Sequence, residues 1–154
     1  MAQLGELIVA CLETVGARSV AEVGAFAGDL TRLLVDWAAG SGARVMAIDP
    51  APQGPLVRLA DEYPQLELIR QTSLDALPAL ELSDVIVIDG DHNYYTVSRE
   101  LALIAERAAQ GPMPLLLFHD VCWPHGRRDD YFAPETLPEP PMINIATITK
   151  VSLM

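Results

Sequence analysis

Apolar positions along the chain switch between helical and strand spacing, and the alternation predicts five strands separated by helices. Leu4, Leu7, Ile8, Cys11, Leu12 and Val15 recur on one helical face, and Gly16 supplies the stop. Ser19–Val23 reads as a short apolar strand. A loop through Gly24 and Gly28 follows, then a helix carrying Leu30, Leu33, Leu34 and Trp37 to about Gly40. Trp37 shares the phase of Leu33 and Leu34, which makes it core. Arg44–Ile48 is the second strand, and Pro55 fits the first position of a helix reaching about Tyr63. Residues 66–70 give the third strand, after which Ser73 is expected to cap a short helix reaching position 80. Val85–Ile88 and Leu115–Phe118 are continuous apolar runs of the kind buried on both faces of a parallel sheet, with a long helix over 95–110 between them. Strands and helices in this order imply a parallel sheet with right-handed crossovers.

The pattern changes after Phe118. Residues 119–141 hold five prolines and no periodicity, which reads as one long loop, and a loop of that length is usually functional, here an active-site loop, or disordered. Residues 143–153 show β-branched alternation suited to one last strand. There is no internal repeat and no low-complexity block, so the 154 residues are read as a single domain, 1–154.

Charge narrows the partners. A formal net charge of −11 argues against nucleic acid, whose phosphates need a basic face. The basic pair Arg127 and Arg128 is answered at once by Asp129 and Asp130. No apolar run is long enough to span a membrane, and the N-terminal segment carries an acid and no base before its apolar stretch, unlike a signal peptide. Cys11 and Cys122 form no framework and are read as free thiols of a reducing compartment, so a cytoplasmic location is expected. A small molecule is the expected partner.

Candidate chemistry begins where the first strand turns into a helix, at Glu22-Val23-Gly24-Ala25-Phe26-Ala27-Gly28. Glycine is needed where the backbone turns sharply and a ligand approaches without a Cβ in the way. The pattern is E-x-G-x-x-x-G; Phe26 stands where the dinucleotide fingerprint G-x-G-x-x-G places no bulky side chain. Asp49, ending the second strand, lies where an acid accepts hydrogen bonds from ribose hydroxyls. Each feature alone is an ordinary turn; together, in one βαβ unit, they point to a nucleoside with a non-phosphate arm.

Asp89, Asp91 and His92 follow the fourth strand, and His119 and Asp120 follow the fifth. Neighbouring parallel strands run about 5 Å apart, so both clusters would reach one carboxyl edge. Two carboxylates and a histidine there could coordinate a divalent cation, and His92 could take a proton from a substrate hydroxyl. The structural alternatives are that Asp91 caps the following helix and that His119 is a satisfied structural histidine. Trp123, Tyr131, Phe132, Arg127 and Arg128 could grip a sugar or an acidic ring, or simply pin the loop and pair locally.

The blocks AEVGAFAGDLTRLL, VMAIDP, VIVIDGDHNY and LLLFHDVCWPHGRRDDYFAPE resemble class I S-adenosylmethionine (SAM)-dependent methyltransferases over about residues 20–138. The last two blocks resemble the branch of metal-dependent O-methyltransferases of natural-product and saccharide pathways. The resemblance implies a Rossmann-like, doubly wound α/β fold, mostly parallel in the order 3-2-1-4-5, with helices on both faces. It implies that Gly24, with Ala25, Phe26 and Gly28, holds the methionine part of SAM and that Glu22 supports this loop. Asp49 would take the ribose hydroxyls, Ser73 or Thr72 would lie by the adenine, and Asp89 would line the same site. Asp89 and Asp120 would be metal ligands, with His92 or Asp91 as base. Two departures stand out: Gln71-Thr72 replaces a frequent Gly-Asp, and His119 replaces a frequent acid. The expected cation is Mg²⁺ or Mn²⁺; with His119 as a ligand, Fe²⁺ or Zn²⁺ also fits, because imidazole suits softer ions than Mg²⁺.

Such enzymes usually close the sheet with an antiparallel hairpin, whereas this chain offers one candidate strand, so the hairpin is expected to be incomplete. An unfinished apolar edge suits a homodimer. The function expected is metal-assisted O-methylation of a hydroxyl on a sugar or secondary metabolite. The alternatives are a non-catalytic or remnant SAM- or nucleoside-binding module and, with the glycine loop and Asp49 then unexplained, a metal-dependent hydrolase.

Overall fold

The computed structural model describes residues 2–92 and 94–119, with Tyr94 by its backbone alone. Strands β1 (Ser19–Val23), β2 (Arg44–Ile48), β3 (Leu66–Ile69), β4 (Val85–Ile88) and β5 (Leu115–Phe118) pair in parallel in the order β3-β2-β1-β4-β5. Helices α1 (Gly5–Thr14), α2 (Asp29–Ser41), α3 (Gly54–Glu62), α4 (Ser73–Ala76) and α5 (Tyr94–Ala108) connect and flank them. This is the Rossmann-like arrangement expected from the sequence. The strand order reverses at β1 and β4, where such sheets open a crevice at their carboxyl edge.

Period-two alternation divides the interior into two cores, one on each face. Val20, Val45, Ala47, Val85 and Val87 face Ile8 and Leu12 of α1, Leu30, Leu34 and Val35 of α2, and Leu56 and Leu59 of α3. The intervening residues Ala21, Val23, Ile48, Ile86 and Ile88 face Ala76 of α4, Leu77 just after it, and Ile104 of α5. Trp37 packs at the margin of the first core, as its helical phase predicts.

Several element ends differ from the sequence reading. Helix α2 runs through Gly40 and stops where the chain turns left-handed at Gly42, φ 71°. Strand β3 ends one residue earlier, at Ile69. Ser73 does not cap α4: the cap is Thr72, whose hydroxyl accepts from the Asp75 N–H, and the helix ends at Ala76 rather than near position 80. Pro78 lacks an N–H and explains the early stop. Helix α5 starts at Tyr94 and ends two residues short of position 110. Beyond His119, the loop to position 141 and the strand expected at 143–153 lie outside the described residues. No helix among the described residues is long and apolar enough to cross a membrane.

Candidate active site

The loops after β1, β2, β4 and β5 each leave the carboxyl edge of the sheet with one further backbone bond past the ladder. Gly24 N–H bonds Ile48 O at 2.9 Å, Asp49 N–H bonds Ile69 O at 3.0 Å, Asp89 N–H bonds Val23 O at 2.9 Å, and His119 N–H bonds Ile88 O at 3.1 Å. Gly24, Asp49, Asp89 and His119 therefore stand in a row along adjacent strand ends, which is the convergence that the parallel order requires.

The glycine loop is built as its residue types demand. Gly24 and Gly28 have φ of 85° and 88°, and Phe26 between them is also left-handed at 47°. A Cβ on Gly24 would lie 2.4 Å from Gly90 Cα and 2.5 Å from Asp89 O, so the loops after β1 and β4 touch backbone to backbone. Ala25 is buried beneath the loop, while Phe26 projects outward, 65% exposed. Asp49 is the pin: Oδ2 accepts from Phe26 N–H at 2.7 Å and Oδ1 from Ala51 N–H at 2.8 Å. Each carboxylate oxygen has a second lone pair, so the pin can still accept from a ligand.

Beneath the loop, Glu22 is buried and accepts from Thr31 Oγ1 at 2.6 Å. The bond fastens the first turn of α2 to β1. Burial raises its pKa to about 7; the Thr31 bond opposes the rise, and the nearby Asp89 and Asp49 carboxylates add to it.

Beside the glycine loop, Asp89 Oδ1 lies 2.8 Å from His119 Nδ1 and 3.7 Å from His92 Nε2. The two rings sit 6.1 Å apart, tilted at 58°. Donor atoms of Asp89, His92 and His119 all fall within 4.8 Å of one another, close enough to surround one cation. This mixed set fits a divalent ion that tolerates imidazole better than it fits Mg²⁺, which prefers oxygen throughout. Asp120 lies outside the described residues. Asp91 stands apart from the cluster: its Oδ2 accepts from Thr96 Oγ1 at 2.9 Å, tying the loop to the first turns of α5.

The turn after β3 is occupied by its own bonds. Thr72 Oγ1 donates to Asp75 Oδ2 at 2.6 Å while capping α4. Ser73 Oγ donates to Glu100 Oε1 at 2.5 Å inside the protein. Burial pushes the Glu100 carboxyl up to about 7; the Ser73 bond opposes this and the nearby Asp91 charge adds to it. Thr31 and Glu100 were not singled out in the sequence. The signal was there for Glu100, an acid in step with Val97 and Ile104 on the apolar face of α5.

Known proteins agree with this architecture. The profile of the methyltransferase domain family matches residues 21–121, and the chain belongs to that family. No curated protein matches the sequence. Among solved structures, the chain is similar to the S-adenosylhomocysteine (SAH)-bound methyltransferase PaMTH1 of Podospora anserina, with a TM-score of 0.66, 15% identity, and 77% of this chain and 52% of that one covered. It is also similar to a Staphylococcus aureus protein provisionally described as a caffeoyl-CoA O-methyltransferase, with a TM-score of 0.59, 14% identity, and 79% and 58% covered. A third likeness is to an O-methyltransferase family protein of Burkholderia thailandensis, with a TM-score of 0.53, 18% identity, and 77% and 38% covered. At these identities the likeness shows the shared fold, and the chain spans little more than half the length of the first two structures.

Proposed function

We propose that the protein binds SAM along the carboxyl edge of β1 and β2 and methylates a hydroxyl oxygen of a small molecule, a sugar or secondary metabolite, with help from a divalent cation. One observation carries the reading: the glycine loop, Asp49 and the Asp89–His92–His119 cluster all open on one edge of the sheet.

SAM, when bound, supplies an electrophilic methyl group and a neutral thioether leaving group. The left-handed turn at Gly24 leaves backbone bare for the methionine end, and Asp49 accepts from the ribose hydroxyls with its remaining lone pairs. Asp89 and His119 would hold the cation, which would lower the pKa of the acceptor hydroxyl and fix its place. His92 takes the hydroxyl proton. Asp91 has a positioning role through Thr96. The row Leu115–Phe118 is the edge of the sheet among the described residues, apolar and half-buried, and we read it as pairing with a second copy of the chain. A monomeric mass by light scattering would remove the dimer.

The primary test is calorimetry with SAM and SAH. Saturable one-to-one binding is expected, and absence of binding at millimolar ligand would end the reading. Incubation of the loaded protein with hydroxylated sugars and phenols, followed by mass spectrometry for a methyl-group increment on oxygen, tests the transfer itself.

A further inference from the structure

Helices α4 and α5 meet through an acid that packing does not require. Glu100 lies on the buried face of α5 between Val97 and Ile104 and is 1% exposed. Its Oε1 accepts from Ser73 Oγ, and its Oε2 is buried with no partner among the described residues. Ala76 and Leu77 already pack with Ile104 in the second core, so apolar contact alone would fasten the two elements. A buried, unpartnered carboxyl oxygen costs stability, and rules of good packing are broken mostly where a site gains from it.

Ser73 opens α4 immediately after the turn that leaves β3. Strand β3 lies beside β2, and Asp49 N–H bonds Ile69 O at the shared edge. A nucleoside with its ribose on Asp49 and its other arm at Gly24, over β1, extends its base toward β3. We propose that Glu100 is a positioning residue for the purine end of the cofactor, holding Ser73 and the turn 70–73 against the base. The proposal rests on the SAM reading above. Burial keeps a proton on Glu100 up to about pH 7. Asp91, ahead of α5, is the charged group acting on it among the described residues; α4 presents Ser73, and the sheet beneath presents Ile86 and Ile88. Ionisation puts a charge into this seam; the Ser73 hydroxyl favours that charge but is a single donor, so water must enter between α4 and α5 and the turn 70–73 is displaced.

The test is calorimetry of SAH and of adenosine with the full chain at pH 6 and pH 8.5, for wild type, Glu100→Gln and Ser73→Ala. Wild-type affinity for SAH should fall about tenfold between the two pH values, with about a third of a proton taken up on binding at the higher one. Glu100→Gln, neutral and of the same shape, should keep the wild-type pH 6 affinity at both values and take up no proton. Ser73→Ala should weaken adenosine and SAH by the same factor, about tenfold, because the loss is at the base. Parallel pH profiles for wild type and Glu100→Gln, or unchanged affinities in Ser73→Ala, overturn the proposal while leaving the SAM reading in place. Failure of wild type to bind SAH at either pH overturns both.

Discussion

The backbone N–H of Phe26 donates to Oδ2 of Asp49 at 2.7 Å, tying the loop after β1 to the loop after β2. The other Asp49 oxygen takes the Ala51 N–H, and Gln53 N–H returns to Phe26 O at 2.8 Å. This knot holds Phe26 in a left-handed conformation that costs a bulky residue of order 1–3 kcal/mol. Asp49→Asn turns an acceptor into an NH₂ group facing a backbone N–H. The variant is expected to lose about 2 kcal/mol of stability in urea denaturation and to bind SAH more weakly as well. Unchanged stability with weakened binding would show that Asp49 serves the ligand alone.

Gly24→Ala tests the backbone contact between the glycine loop and the loop after β4. A Cβ there meets Gly90 Cα at 2.4 Å, in a backbone already at φ 85°. Neither backbone can give way, so a loss of about 3 kcal/mol or more is expected. Gly16→Ala is the comparison: φ is 64° but nothing lies within 4 Å of the added Cβ. It should cost only about 1 kcal/mol. Equal losses in the two variants would mean that dihedral strain, and not the close approach, sets the requirement for glycine at position 24.

The strand order and the row of loop residues were legible because both follow from apolar periodicity. Val85–Ile88 reads as an interior strand and is buried throughout, Leu115–Phe118 is its apolar neighbour at the edge of the described sheet, and the acids and histidines after them had to share one carboxyl edge. What was not legible is which polar atom faces which. Asp49 reads as a ligand contact, yet both of its oxygens are engaged by loop N–H groups. Ser73 reads as a cap, yet its hydroxyl crosses 27 positions to a buried acid. Such pairings depend on how α4 lies on α5, a tertiary fact that local spacing does not encode. Thr31 was hidden for the same reason: its side chain meets Glu22 only once α2 packs on β1.

His92→Ala separates a base from a ligand. Its Nε2 lies 3.7 Å from Asp89 Oδ1, against 2.8 Å for His119 Nδ1, so the structure seats His119 closer to the shared carboxylate. Loss of a general base is expected to lower turnover by about 10²–10⁴-fold while affinity for Mn²⁺, read by electron paramagnetic resonance, stays within about threefold. His119→Ala should do the reverse, releasing Mn²⁺ first. If His92→Ala also releases Mn²⁺, His92 is a ligand, and the proton must go to another group.

Burial of Glu22 and Glu100 sets a pH dependence of stability whose sign is opposite to that of a paired surface acid. Each carboxyl has its folded pKa raised from 4.5 to about 7. Below about pH 4.5 both the folded and unfolded chains hold these protons, and there is no penalty. Between pH 4.5 and 7 the unfolded chain releases them while the folded chain keeps them, so stability falls as pH rises and stays low above pH 7. The full effect is about 3 kcal/mol for each group. Asp84 works the other way, its pKa lowered chiefly by the Arg18 N–H, but its contribution is complete above its unfolded value and is flat in this window. Urea denaturation at pH 5 and pH 8 should therefore show Glu22→Gln and Glu100→Gln gaining on wild type at pH 8 and little at pH 5. The Thr31 and Ser73 hydroxyls can still donate to the glutamine carbonyl. A constant difference across the two pH values would mean that both acids titrate alike in the folded and unfolded chain.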